Sequence, residues 1–241
     1  MYIWWDLDQL FGGSVIDIAF TMPLFMLISG WFLNLDKLRS TSIIIYIFAK
    51  FKRLIIPAIS WYIIYCILTV HTPVICEAIQ LYWYLSALFI CLCIISISSK
   101  IISNNFLCAL LTTAVVMICP YTDFVNINFM FPYLWSGFYL RKVFESNTPG
   151  LINSIALCSL IIGILLSIIW TPNQSVYKCP LTILEINRTM IYIYIYRFTI
   201  GLSLSIFIIY VIKRCERVKK SKYNSKLRTL FIGNIYSVIC I

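Results

Sequence analysis

Residues 21–33 of the chain read TMPLFMLISGWFL, a stretch that combines strong apolar character with a proline, a serine and a glycine. It lies inside a longer apolar run, Val15–Leu35, which matches the about 20 mostly apolar residues that a membrane-spanning helix needs. Pro23 and the Ser29-Gly30 pair are costly at membrane depth unless neighbouring helices or a functional site satisfy them. The stretch therefore predicts a membrane helix that packs against other helices or carries a site.

The composition of the whole chain extends this prediction to a membrane protein. Of its 241 residues, 61% are hydrophobic and only 12% are charged, with a mean hydropathy of +0.92. A typical soluble domain is about 45–50% apolar and about 25% charged, so a soluble fold would have no interior large enough for this apolar surface. The predicted fold class is all-α, a polytopic transmembrane helical bundle.

Eight apolar runs are candidate membrane helices. They are Val15–Leu35, Leu54–Val70, Ala78–Ile97, Phe106–Pro120, Asn128–Leu140, Leu151–Trp170, Ile191–Ile212 and Thr229–Ile241. The eighth run is too short to span a bilayer within this sequence. The prediction is therefore a bundle of about seven to eight membrane helices, in a single domain over residues 1–241.

The basic residues define the orientation of this bundle. With the N-terminus outside, the four cytoplasmic loops hold five, one, two and eight of the 19 Lys and Arg residues. Predicted outside loops hold only Lys178 and Arg188, and Arg197 lies inside a helix. Because cytoplasmic loops of membrane proteins carry excess Lys and Arg, the net charge of +10 reflects orientation in a cell membrane. It does not indicate nucleic acid binding.

Two charged residues fall inside predicted spans and are candidate site residues. Asp17 lies one turn into the first span, and an intramembrane carboxylate is by default a functional-site hypothesis. Arg197 lies in the first third of an apolar run, where it either reaches the outer interface or faces a cavity as a fixed cation. Such a cation can stabilise a developing negative charge or hold an anionic substrate group.

Further candidates lie near the predicted helix ends. Lys52 and Arg53 precede the second span, where they act either as topology anchors or as ligands for a phosphate-bearing donor. Trp83 and Tyr133 belong to aromatic groups near predicted outside ends, which form an aromatic belt or a sugar-binding platform. No metal-ligand cluster, Walker loop or dinucleotide fingerprint is present, so no metal is expected.

Five segments resemble motifs of the acyltransferase-3 family of integral membrane acyltransferases. The first, residues 20–32, is similar to the family's F-H-M-P-L-F and I-S-G-[FY]-F signature, with Thr21 where the family carries a histidine. Residues 52–57 resemble its R-L-[LI]-x-P helix entry. The other matching segments are residues 81–88, 131–141 and 232–237. They occur in the order in which the family carries them.

The resemblance implies a ten-helix plan, of which this sequence is expected to lack the first and the last helix. It implies transfer of an acyl group, often acetyl, from cytoplasmic acyl-CoA to a hydroxyl of a glycan or lipid-linked sugar. It implies that Arg53 lies near the donor entrance and that Ser29 and Gly30 line the transfer path. Arg197 corresponds to an arginine in a late helix of the family, and Thr21 replaces the expected base.

The predicted function is thus a multi-pass acyltransferase of a bacterial inner or plasma membrane, acting on a cell-surface or secreted polysaccharide. The predicted catalytic residues are Asp17, Thr21, Ser29 and Arg197; the donor-binding residues are Lys52 and Arg53; the acceptor-binding residues are Trp83 and Tyr133. Two alternatives remain open. One is an inactive, truncated acyltransferase-like protein, and the other is a non-enzymatic transporter of a lipid-linked glycan.

Overall fold

The structure is a computed structural model that describes residues 15–69, 82–118, 126–169 and 191–215, with side chains in the first range from Met22 to Leu68. These parts of the chain form eight helices and contain no strand. The helices are α1 Val15–Trp31, α2 Leu35–Ser40, α3 Ile43–Thr69, α4 Trp83–Ile101, α5 Asn105–Ile118, α6 Ile127–Ser146, α7 Pro149–Ile168 and α8 Ile191–Cys215. The all-α fold class is confirmed for this described part.

Three of the described helices, α4, α7 and α8, are long and apolar enough to cross a membrane. Helix α5 has 14 residues, which gives it a length of about 21 Å against a hydrocarbon core of about 30 Å. The count of seven to eight membrane helices therefore stays a prediction. The run Thr229–Ile241 lies outside the described residues.

Several predicted spans differ in their bounds from the helices that form; α3, for example, begins at Ile43, well before the run Leu54–Val70. The run Val15–Leu35 ends as a helix at Trp31, because Asn34 starts the short helix α2 and its side chain accepts a hydrogen bond from the Lys37 amide at 3.0 Å. The run Asn128–Leu140 continues to Ser146. In that extension Arg141 and Glu145 form an ion pair of 2.8 Å one turn apart, a spacing that supports a helix.

The core of the described part forms where α6 packs against its neighbours. Most side chains of α6 between Asn128 and Leu140 are buried, and Met130, Phe131, Tyr133 and Leu134 are fully enclosed. Helix α7 is the opposite case, because large apolar side chains along it are exposed, among them Leu157, Ile161, Ile164 and Leu165. An exposed apolar helix surface of this kind suits contact with lipid.

Candidate functional site

Helices α1 and α6 touch through their backbones at two glycines. A Cβ atom added to Gly30 would lie 1.8 Å from the carbonyl oxygen of Leu134, and one added to Gly137 would lie 2.0 Å from that of Leu27. Because a Cα–Cβ bond is about 1.5 Å long, the Gly30 Cα lies within about 3.3 Å of the Leu134 oxygen, the range of a Cα–H···O contact. Gly30 is therefore accommodated by close helix packing, one of the two reasons that the sequence suggested for the Ser29-Gly30 pair.

Tyr133 joins this pair of helices to α8. Its side chain is fully buried, and its hydroxyl donates to the carbonyl oxygens of Arg197 at 3.2 Å and Phe198 at 3.3 Å. A Cβ added to Gly201 would lie 2.6 Å from this hydroxyl and 3.0 Å from Pro23 of α1. Gly201 thus allows α1, α6 and α8 to meet at one point, which we call the three-helix junction (Pro23, Tyr133, Gly201).

Arg197 lies one turn from Gly201 on α8, next to this junction. Its side chain is only 3% exposed, so the structure places the cation inside the bundle. Its backbone carbonyl accepts the hydrogen bond from the Tyr133 hydroxyl. A guanidinium in the interior of a membrane protein is costly, and where it occurs it commonly marks a substrate or proton pathway.

Ser29 lies on another side of α1 from Pro23. Their separation of six positions along the chain corresponds to a rotation of about 240° around the helix. The Ser29 hydroxyl donates to the Phe25 carbonyl at 2.8 Å and interacts with Tyr84 of α4, whose ring lies 5.9 Å from that of Phe25. Trp83 is half-buried beside Tyr84, at 6.4 Å between ring centroids. Ser29 therefore lies on the side of α1 that faces Tyr84, the sequence neighbour of Trp83.

Asp17 and Thr21 lie in the first two turns of α1, and their side chains are outside the described part of the structure. The four-residue spacing puts both residues on one face of that helix. Thr21 precedes Ser29 by eight residues, which corresponds to about 12 Å along the axis.

The donor-binding candidates lie on the surface of α3. Lys52 and Arg53 are both exposed, and the Lys52 ammonium lies 4.7 Å from the centre of the Phe48 ring. Lys50, one turn before the predicted span, is half-buried with its ammonium over the Tyr46 ring. Burial, and next the charge of Arg53, lowers the pKa of Lys50 from its usual value. This end of α3 thus presents two exposed cations and one half-buried amine.

A comparison with known families identifies this architecture. The acyltransferase domain of the acyltransferase-3 family matches residues 2–236. The chain belongs to the acyltransferase-3 family. No curated protein and no solved structure matches it. Together with its apolar helices, the family makes the chain a membrane protein of the acyltransferase type and confirms the resemblance that its motifs indicated.

For this acyltransferase-3 chain, the structure brings some predicted site residues together and leaves others apart. Tyr133 is part of the three-helix junction and Arg197 lies next to it, while Ser29 lies beside Tyr84 of α4, the helix that begins at Trp83. Tyr133 has no exposed surface, so it can touch only a substrate that enters the bundle. Among the described residues, no three metal-ligating side chains come together.

Two features of this family member were missed by sequence reasoning. Arg39 was assigned only to a basic loop, yet its guanidinium donates to carbonyl oxygens at the end of α4, including Ser99 at 3.0 Å. Gly137 was part of a quoted motif without a role, yet it forms half of the α1–α6 contact. The available signal for Arg39 was its place in a polar loop after an apolar helix. The signal for Gly137 was a glycine among the aromatic residues of α6.

Proposed function

We propose that the chain transfers an acyl group, acetyl in the simplest case, from acyl-CoA at the cytoplasmic face to a hydroxyl of a cell-surface or secreted polysaccharide. The acyltransferase-3 match over residues 2–236 carries the proposal, because it supports acyl transfer by a membrane protein. The acetyl group, the CoA donor and the polysaccharide acceptor are the proposed details. The buried cation of the three-helix junction supports a reaction centre inside the bundle.

Arg197 is proposed to stabilise the negative charge that develops during transfer. When a sugar hydroxyl attacks a thioester carbonyl, the carbonyl oxygen gains negative charge in the tetrahedral transition state. A fixed cation in a water-poor interior stabilises that charge far better than an exposed cation does. Arg197, at 3% exposure and beside a fully buried tyrosine, meets this requirement.

Asp17 is proposed as the general base. The threonine at position 21 cannot accept a proton near neutral pH, whereas a carboxylate can, and Asp17 lies one turn away on the same helix face. In the proposed step the hydroxyl proton moves to Asp17 while the hydroxyl oxygen bonds to the acyl carbon. The carbon–sulfur bond breaks, the leaving CoA thiolate takes up a proton from solvent, and Asp17 returns the hydroxyl proton to solvent.

The remaining predicted residues are proposed to bind the two substrates. Lys52 and Arg53 are exposed on α3, where their charges suit the phosphates of CoA. Trp83 offers an aromatic surface for a sugar ring, and Ser29, beside the neighbouring Tyr84, lies along the proposed path of the acyl group. The acceptor would then approach from the side of α4.

The test uses the full chain in proteoliposomes with radiolabelled acetyl-CoA and a panel of bacterial polysaccharides. We expect label on the glycan, at least about a hundredfold loss of turnover in Asp17→Asn, and a raised donor KM in Arg53→Ala. Arg214→Ala is the matched control, because Arg214 is an exposed cation at the predicted cytoplasmic end of α8. It should leave the donor KM unchanged.

A complementary variant restores the residue type that the family carries. Thr21→His should have a higher turnover than the wild-type chain, because imidazole is a better proton acceptor near neutral pH than a threonine hydroxyl. Absence of glycan labelling in both the wild-type chain and Thr21→His would reject acyl transfer by this chain. Glycan labelling that survives Asp17→Asn unchanged would reject only the assignment of the base.

A further inference from the structure

An open cleft of about 250 Å³ lies where α4 ends, and it is lined by Arg39, Ser99, Lys100, Ile101 and Ser103. Two of its five lining residues are cations, and both lie in segments that the basic-residue distribution places at the cytoplasmic face. None of the predicted donor, acceptor or catalytic residues lines it. The cleft is therefore a separate feature from the proposed acyl-transfer site.

Arg39 is held rigidly in this cleft. Its Nε donates to the Ser99 carbonyl at 3.0 Å, and its Nη2 donates to the Ser103 carbonyl at 2.6 Å and to Asn105 Oδ1 at 2.8 Å, with Ile102 O at 3.2 Å. The contacts to Ser99 and Ile102 satisfy carbonyl groups at the C-terminus of α4, which carries the negative end of the helix dipole. A guanidinium that is already ordered loses little further freedom when it binds a ligand.

The Nη1 group of Arg39 is the part not used by this clamp. Among the described residues, its recorded partner is Asp36 at 3.9 Å, which is beyond hydrogen-bond distance, and the Asp36 side chain is 97% exposed. An exposed ion pair of that length contributes little. Lys100 is exposed beside it, and no ion pair of Lys100 is recorded with any described residue. The cleft therefore combines two cations with one distant, solvated carboxylate.

We propose that this cleft binds a phosphate group through Arg39 Nη1 and Lys100 Nζ. A phosphate offers several acceptor oxygens, and a fixed arginine with a neighbouring lysine is a well-suited set of donors for it. The group comes either from an anionic lipid headgroup, which is abundant in the cytoplasmic leaflet, or from a soluble phosphate compound. The four hydrogen bonds of Arg39 hold the end of α4 against the segment that follows it, and they leave Arg39 Nη1 and Lys100 in the cleft for a ligand.

The test measures binding by thermal shift and native mass spectrometry of the full chain. One arm uses nanodiscs of phosphatidylcholine with and without phosphatidic acid, and the other adds inorganic phosphate to the phosphatidylcholine nanodiscs. Lys100→Gln is the main variant, because it removes one proposed ligand and leaves the Arg39 clamp intact. Lys142→Gln is the matched control, since Lys142 is an exposed cation of the same predicted face over the Phe138 ring.

We expect the wild-type chain to bind in at least one arm and Lys100→Gln to weaken that binding about tenfold, the effect of losing one charge-assisted hydrogen bond. Binding only in the lipid arm assigns a lipid phosphate, and binding with inorganic phosphate assigns a soluble ligand. Arg39→Lys should weaken binding further where it folds. The proposal is overturned if the wild-type chain binds in neither arm. It is also overturned if Lys100→Gln and Lys142→Gln lose the same affinity, because equal losses indicate diffuse electrostatic attraction.

Discussion

The backbone contact between α1 and α6 makes a quantitative prediction for Gly30→Ala. The new methyl group would lie 1.8 Å from the Leu134 carbonyl oxygen, whereas ordinary van der Waals contact begins at 3.4 Å. The two helices must therefore move apart locally by about 1.6 Å, because the obstructing atom belongs to the backbone and cannot rotate away. Overpacking a well-filled core costs about 1–3 kcal/mol and occasionally more, and a backbone clash belongs at the upper end.

We expect Gly30→Ala to lower the unfolding free energy by about 3 kcal/mol, which corresponds to a Tm lower by about 10 °C for a chain of this size. The assay is thermal unfolding of the purified chain in detergent, followed with a thiol-reactive dye. Cys91 and Cys108 are buried free cysteines and become reactive only when the bundle opens. Gly137→Ala should behave similarly, because its methyl group would lie 2.0 Å from the Leu27 oxygen.

Two control glycines and the double variant make the prediction specific. Gly150 has no atom within 4 Å of an added Cβ, so Gly150→Ala should leave the Tm unchanged or raise it slightly. At Gly163 the obstacle is the flexible end of the Leu204 side chain, so an intermediate loss is expected. Separating the helices at one glycine relieves the other, so Gly30→Ala with Gly137→Ala should cost less than the two losses added. A Tm for Gly30→Ala within about 2 °C of wild type would refute the reasoning.

Three further predictions concern single side chains. Tyr133→Phe removes the hydroxyl that bonds to α8 carbonyls and should lower the unfolding free energy by about 1 kcal/mol, measured by the same unfolding assay. Ser205→Ala should leave stability unchanged or raise it, because the fully buried Ser205 hydroxyl has no hydrogen-bond partner among the described residues. Ser203→Ala is the control: it loses the 2.6 Å hydrogen bond to the Thr199 carbonyl and should not raise stability. Lys50, whose pKa is lowered, should react with an amine-acylating reagent at a lower pH than Nα-acetyl-lysine does, as peptide mass spectrometry can measure. Because folding then favours the deprotonated amine, the Lys50 contribution to stability should increase as pH rises through the lowered pKa.

The sequence predicted the helices well because their signal is local. The apolar runs gave most boundaries within a few residues, and the Ser29-Gly30 pair indicated either close packing or a site; the structure shows close packing at Gly30. What it could not show was the partner in each contact. The pairing of Gly30 with Leu134 joins positions about a hundred residues apart in sequence, and no periodicity in either helix encodes the other.

The candidate site was predictable only in part for the same reason. Arg197 stood out because a cation inside an apolar run is conspicuous, and the structure places it in the interior. The junction that surrounds Arg197 depends on Gly201 and on the Tyr133 hydroxyl. From the sequence alone, Tyr133 was compatible with an aromatic belt and with a sugar platform. Its burial and its bonds to α8 follow from three helices meeting, which is a property of the fold.

The two properties of the three-helix junction, tight packing and a buried cation, are physically linked. A guanidinium in an apolar interior is acceptable only where its surroundings hold it in place, because a mobile charge would draw water or lipid headgroups into the bundle. Gly201 allows α8 to approach α1 and α6, and the Tyr133 hydroxyl fixes the backbone of the turn that carries Arg197. A charge held in this way needs no reorganisation when negative charge develops beside it, which is the condition for electrostatic catalysis. The packing of the junction therefore also fixes the cation that would stabilise the transition state of the proposed acyl transfer.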